Sequence, residues 1–482
     1  MLFNSYEFIF LFLPITFFIY FRLTSKYSSD HSKGFLVLSS LFFYSWWNVL
    51  YLPLILGSIT FNFFIKHIMG RNVGLAKRTW LYIGIITNIG LLGLFKYTDF
   101  LFTNLNSAFD TNLPILNFAL PLAISFFTFQ QITYLVDSYK SDIGAHSFTE
   151  YALFVSFFPQ LIAGPIVHHK EMMPQFLSDR NFAINHRNIA KGLFLFSIGL
   201  FKKVAIADTF SVWVNAGFSN PNSLNFLESW MASLSFSFQV YFDFSGYTDM
   251  AIGAALLFNI KLPINFNSPY KARSIKEFWR RWHITLSRFF RDYVYIPLGG
   301  NRHSELRTCV ILIVVFFLGG IWHGAGWNFI AWGTLHGLGM VFQRAWRKLG
   351  IALPDLLAWF VTFNFVNASL VIFRGQTLDH GLEILKSMAG LSNHSSNQQF
   401  YQLFSFREAN LPFYELLSGI QGDITTCLWL LFGFSIILLF PNSNQIIKDF
   451  KLTYKTVIWS VVAFTGAIMS LNRVSEFIYF NF

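Results

Sequence analysis

Apolar runs about as long as a bilayer is thick recur from one end of this chain to the other, and few folds other than a membrane-spanning one would tolerate them. A helix needs roughly 20 apolar residues to cross about 30 Å of hydrocarbon, and somewhat fewer where flanking side chains reach back to the interface. Such runs lie at 8–21, 34–48, 50–65, 80–95, 114–136, 192–213, 228–250, 308–322, 326–343, 354–374, 424–440 and 456–473. The 482 residues are 54% hydrophobic, include 62 phenylalanines and are only 12% charged, where a soluble chain carries about 25% charge. The expectation is an all-α polytopic membrane protein of about twelve spans, forming one domain over 1–482. The first run, 8–21, lacks a basic n-region and a small-residue cleavage site, so it reads as a retained span rather than a signal peptide.

The placement of charge orients these spans. The formal net charge is +11, which alone could suggest a nucleic-acid partner. Its distribution excludes one, because 204–260 holds no Lys or Arg at all, while 271–307 holds nine basic and three acidic residues. Clustering of that kind fits a cytoplasmic loop drawn to anionic lipid and an anionic substrate. Basic residues also mark the loops after 8–21, after 50–65, after 326–343 and after 424–440, whereas 375–423 is acidic and belongs outside. Twelve spans with both termini outside satisfy these loops.

Two stretches fit no simple span. Tyr151 to Val167 is apolar but broken by Pro159 and Gly164-Pro165, which reads as a re-entrant segment buried in protein. In 277–293, Phe278, Trp279, Trp282, Leu286, Phe289, Phe290 and Tyr293 recur at helical steps, with Arg281, Arg288 and Asp292 on another side. That is the pattern of an interfacial or partly inserted helix.

The candidates for chemistry cluster around these stretches. His323 follows the run 308–322, whose fifteen residues rise about 22 Å, so it lies short of the far surface and in protein. Gly319-Gly320 and Gly324 beside it permit close backbone approach. A neutral imidazole there can take the proton of a hydroxyl attacking a thioester; the alternative is a hydrogen-bonded core histidine. His336 begins a second His-Gly pair that helix packing explains as well. Arg280, Arg281, Arg288 and Arg291 could hold the phosphates of a donor or anchor the chain to lipid headgroups. Asp243 and Asp249 lie in the stretch without basic residues and need partners, which Lys202-Lys203 could supply. Cys309 and Cys427 form no disulfide framework, and no metal-binding spacing is present.

Several stretches together carry a resemblance: Met1-Leu-Phe-Asn-Ser-Tyr-Glu-Phe8, Leu120 to Phe126, Ala163 to Ile166 with Met173 to Phe176, Gln239 to Tyr247, 265–300, and Trp322-His-Gly-Ala-Gly-Trp-Asn328 with Gly333-Thr-Leu-His-Gly337. The chain resembles the membrane-bound O-acyltransferase (MBOAT) family, in its bacterial alginate and polysaccharide O-acetyltransferase branch. The resemblance implies a helical core with a central funnel or tunnel, approximately 114–374, preceded by helices in 1–113 and followed by an external segment, 375–423, and helices in 424–482. It implies His323 as the catalytic base and His283 as the upstream polar position, orienting the thioester or handling a proton; the alternative for His283 is a helix-face histidine bonded to backbone. One departure is 253–257, where relatives often carry an arginine.

The implied function is relay of an acyl group, acetyl by this reading, from a cytoplasmic thioester such as acetyl-CoA across the bacterial inner membrane. No cofactor is implied beyond this donor substrate. The acceptor is an exported or cell-wall polysaccharide, and a periplasmic serine-esterase (SGNH) partner completes the transfer. The rival within the same chemistry is D-alanyl transfer to teichoic acid from a carrier-protein thioester. The rival of another class is a transporter or channel, which leaves the Trp-rich basic stretch before His323 unexplained.

Overall fold

The open edge of a sheet would strand backbone groups in lipid, whereas a helix pairs them within itself. Every regular element in the computed structural model is accordingly helical among the described residues, which are 1–141, 144, 146–391, 415–471 and 477–478. Five helices are long and apolar enough to cross a membrane: Glu7–Lys26, Val49–Gly70, Gly74–Lys96, Glu305–His323 and Asp355–Arg374. Two shorter apolar helices, Ile424–Leu439 and Tyr454–Ser470, coincide with two more of the expected spans. The middle of the expected external segment, 392–414, lies outside the described residues.

The chain forms two compact units interleaved along the sequence. The first gathers Met1–Leu200, Tyr247–Ile264 and Phe450–Val474. Within it, Asn62 and Asn88 on successive spans exchange amide hydrogen bonds of 3.2 and 2.6 Å. Such interhelical pairs are worth about 1 kcal/mol in a membrane protein. The expected span 114–136 is helical only from Ile124 to Lys140. Pro114 and Pro121 cannot donate helical hydrogen bonds, and Asn117 and Ala123 take positive φ. The stretch Tyr151–Val167 is buried and broken as its sequence requires. Helix Phe148–Ser156 opens on a Ser147/Glu150 capping box and stops before Pro159, and a four-residue helix, Phe158–Leu161, follows.

The second unit gathers Phe201–Gly246, Asn265–Asp449 and Ser475–Phe482. The expected span 192–213 is not one helix. A π-helical turn, Lys202–Ala207, separates His186–Phe201 from Asp208–Ser219. The turn serves Lys203, whose ammonium lies 2.8 Å from Asp208 and 2.7 Å from Asp243, all three buried. Asp243 thus has the partner that a carboxylate in an apolar environment needs. The expected helix over 277–293 is also broken. Ile275–Arg281 and Ile284–Phe290 are separate helices, followed by a π-helical turn, Arg291–Tyr295. The break is His283 at φ +41°, where the Ile284 N–H leaves the helix to donate to Asn265 O at 2.9 Å.

Helices Glu305–His323 and Trp327–Lys348 form a tight antiparallel pair joined by Gly324-Ala-Gly326. Their backbones touch: a Cβ on Gly320 would run into Phe329 O, and one on Gly333 into Phe316 O. Backbone cannot yield as a side-chain tip can, so Gly320→Ala and Gly333→Ala are each expected to destabilise by about 1–3 kcal/mol. Gly93, which has open space around it, should accept Ala with a gain of up to about 1 kcal/mol. Thermal denaturation of the three detergent-purified variants checks this, and equal behaviour of all three would contradict the close contact.

Candidate functional site

Each residue of the site is positioned by the paired helices or by the broken stretch packed on them. His323 is the last residue of its helix, and Gly324 leaves in extended conformation. The imidazole is 95% buried, taking 5% exposure from the whole. It sits edge-on within a cage of rings, with centroids at 4.9 Å to Trp322, 5.0 Å to Trp332 and 5.3 Å to Phe373. Asn328 pins the following turn by donating to Gly375 O at 2.8 Å. The buried Trp332 indole N–H has no acceptor among the described residues.

His323 and Trp332 line a cavity of about 740 Å³ whose walls also include Lys276, Arg280, Arg288, Arg291, Arg344 and Arg347. The cavity extends along the helix pair. From Trp332 to Arg347 is fifteen residues of one helix, about 22 Å at 1.5 Å per residue. Arg344 and Arg347 therefore stand about three to four turns from the aromatic end around the histidine, while Arg280, Arg288 and Arg291 line the walls from other elements. A further cavity of about 120 Å³ lies against Lys276, Gln343, Arg344 and Arg347. Partial desolvation and then the nearby Arg280, Arg347 and Arg344 guanidiniums push the Lys276 ammonium below its ordinary value. Like charges gathered at an apolar cavity favour an anionic ligand with an apolar arm.

Sequence reasoning named part of this set. His323, Arg280, Arg288 and Arg291 line the one cavity. Arg281 is not among its walls; its guanidinium donates to Glu277 at 2.8 and 3.0 Å and to Asn267 O at 3.2 Å. Arg291 lines the cavity while paired with Asp292 at 2.7 Å. Lys276, Arg344 and Arg347 were not foreseen as cavity residues. Their signal was present: Trp332, His336, Met340, Arg344 and Arg347 recur at steps of four, four, four and three, which is one face of a helix.

The other two histidines are held by hydrogen bonds. His336 is fully enclosed. The Trp279 indole N–H donates to its Nδ1 at 3.2 Å, so Nε2 carries the proton and donates to Ser369 Oγ at 2.9 Å. Ser369 in turn donates to Val366 O at 2.7 Å. His336 and His323, with Trp332 and Ser369, line a pocket of only about 10 Å³. His283 lies outside the walls of these cavities. Its ring is 4.8 Å from Phe244 and 6.1 Å from Trp322, the residue before His323, and its Nδ1 is 3.2 Å from Asn265 Oδ1. Among the described residues no group of His, Cys, Asp and Glu is arranged to hold a metal ion.

Comparison with known proteins fits this arrangement. The profile of MBOAT, the membrane-bound O-acyltransferase family, matches residues 9–374. A peptidoglycan O-acetyltransferase of Helicobacter pylori is 54% identical over an alignment covering all of this chain and 98% of that protein. A probable alginate O-acetylase, AlgI, of Pseudomonas aeruginosa is 36% identical over 90% of this chain and 81% of its own length. A teichoic acid D-alanyltransferase of Streptococcus thermophilus is 30% identical over 54% of this chain and 69% of its own.

The hydrogen bonds of His336 predict how its loss is felt. His336→Leu leaves the half-buried Trp279 N–H without its acceptor and takes the imidazole donor from the buried Ser369 hydroxyl, which together cost about 1–3 kcal/mol. The expected result is a lowered unfolding midpoint, while Leu at the exposed position His31 leaves it unchanged. An unaltered midpoint for His336→Leu would remove the structural role assigned to this ring.

Proposed function

Because the chain belongs to the membrane-bound O-acyltransferase family, and is thus a multi-pass membrane enzyme that uses an acyl donor, we propose that it relays acetyl groups for O-acetylation of an exported or cell-wall glycan. The similarity to a peptidoglycan O-acetyltransferase over the full chain supports peptidoglycan as the acceptor, with an alginate-like polysaccharide next. The similarity to D-alanyltransferases is lower and covers about half the chain, 54%, which places D-alanyl transfer behind acetyl transfer.

The observation that carries the reading is one cavity lined both by His323 and by a set of cations, of which Arg344 and Arg347 stand about three to four helical turns from Trp332. A thioester such as acetyl-CoA has the matching form: phosphates, a long arm and a reactive carbonyl. Lys276, Arg280, Arg344 and Arg347 take the phosphates and the apolar walls take the arm, which brings the carbonyl to His323. The acceptor hydroxyl attacks that carbonyl carbon, and its proton passes to the His323 imidazole. The tetrahedral oxyanion takes a hydrogen bond from the Trp332 N–H, a donor that needs no rearrangement to act. Collapse breaks the carbon–sulfur bond, the ester leaves with the acceptor, and the imidazolium returns the proton to the thiolate. His283, beside Trp322, serves donor placement or proton handling. In this reading twelve spans cross the bacterial inner membrane with the 271–307 loop cytoplasmic, and a periplasmic SGNH-type partner carries the acetyl group to the glycan.

Two measurements test the division of labour. In vesicles reconstituted with radiolabelled acetyl-CoA, His323→Ala should lower transfer by about 10²–10⁴-fold, the usual cost of losing a general base, while donor binding stays near wild type. A fall in the amount of folded protein with unchanged activity per molecule would make His323 a core residue and end the proposal. At the other end, Lys276→Glu and Arg347→Glu should each raise the donor KM about tenfold or more, as expected for a lost charge-assisted bond of about 1.5–3 kcal/mol, and leave kcat within a few-fold. If kcat falls and KM does not, these cations do not bind the donor.

A further inference from the structure

We propose that Asn265 is a positioning residue for acyl transfer: its side-chain oxygen decides which nitrogen of His283 carries the proton and fixes the direction of the ring. The inference rests on the part given to His283 in the proposed function.

The chain arrives at His283 from helix Ile275–Arg281 and turns sharply, with φ +41° and ψ 53°. Few side chains other than glycine adopt that conformation without compensation. The compensation comes from the segment at Asn265. Its backbone oxygen accepts from the Ile284 N–H at 2.9 Å. Its Oδ1 accepts from the Thr285 N–H at 3.2 Å and from Thr285 Oγ1 at 3.0 Å, and lies 3.2 Å from His283 Nδ1. Two residues along, the Asn267 N–H donates to Arg281 O at 2.9 Å, tying the same segment to the end of the preceding helix.

This geometry settles two assignments. A backbone N–H can only donate, so the amide atom facing Thr285 N is oxygen. An amide oxygen can only accept, so His283 Nδ1 carries the hydrogen. A neutral ring then presents its lone pair at Nε2. The Asn265 Nδ2 group is buried and has no acceptor among the described residues. Leaving a buried donor unused costs free energy, and the arrangement is kept because the oxygen serves the turn and the imidazole together. Phe244 meets the ring edge-on at 87° and Trp322 flanks it. Packing restrains the plane, and Asn265 sets the tautomer and the rotation within it.

The discriminating experiment uses acceptor chemistry against burial cost. Asn265→Asp keeps an acceptor for His283 and Thr285 but buries a carboxylate; Asn265→Leu keeps the branched shape and removes the acceptor. For a residue that only fills space, Asp is the more damaging change. Both are made in the full chain, alone and with His283→Ala, and kcat and donor KM are measured on protein that elutes as folded in size exclusion. The expected result is that Asn265→Leu lowers kcat at least tenfold with KM within about twofold, Asn265→Asp stays within tenfold of wild type, and Asn265→Leu adds less than twofold once His283 is Ala. If Leu does not fold, Asn265→Ala, which also lacks the acceptor, takes its place. Equal losses for Asp and Leu, or losses that multiply in the His283→Ala background, overturn the inference alone. A wild-type kcat for His283→Ala overturns the role of His283 and this inference with it.

Discussion

The contact between Gly320 and Gly333 governs the site. Lipid gives two apolar helices no hydrophobic reason to associate, so their pairing depends on van der Waals contact and on how closely the backbones can come. A side chain at either position would separate the helices, and the first thing lost would be the closeness of His323 on one to Trp332 on the other. The cavity runs along the same pair. The glycines therefore set helix spacing, the geometry of the candidate base and the width of the binding space at once.

The surrounding polar groups follow from the same scarcity of water. A buried donor or acceptor without a partner is costly, and the second unit meets this with short, specific chains of contacts. Trp279, His336, Ser369 and Val366 form one such chain, and Asp208, Lys203 and Asp243 another. Both join elements far apart in sequence and rely on exact partners rather than on area. His336 is thereby a scaffold for Trp279, a wall of the cavity.

Features legible in the sequence were those that local pattern determines. Apolar runs marked helices, Pro159 and Gly164-Pro165 marked a break that the structure contains, and His323 stood out by its glycines. The features that escaped depend on partners distant along the chain. Histidine is among the side chains that tolerate positive φ, but that alone does not announce a turn at Trp282-His283; the turn is supported by Asn265, eighteen residues earlier, which receives the freed groups. The π-helical turn at Lys202–Ala207 exists because Lys203 must reach Asp243, forty residues on. Arg281 looked equivalent to Arg280 as a basic residue, yet Glu277 one turn before it provides a partner within its own helix. Arg344 and Arg347 were legible only as charge flanking a span, although their spacing from His336 already put them on one face.

The distance of Arg344 and Arg347 from the histidine has a physical rationale of its own. In the proposed reaction a guanidinium held against His323 would oppose an imidazolium formed there, and the aromatic cage would hardly screen the repulsion at the low dielectric of a buried site. Arg344 and Arg347 stand about three to four helical turns from Trp332, which keeps these two charges away from the ring. For the proposed donor the same distance calls for length: a molecule with its charge at one end and its carbonyl at the other can reach Arg344 and Arg347 and His323 together. Small anions can satisfy the cations and short esters can reach the histidine, but neither gains from both. In the proposed reading, a cavity built this way favours an acyl group carried on an extended, phosphate-bearing arm before any contact with the acyl group itself is considered.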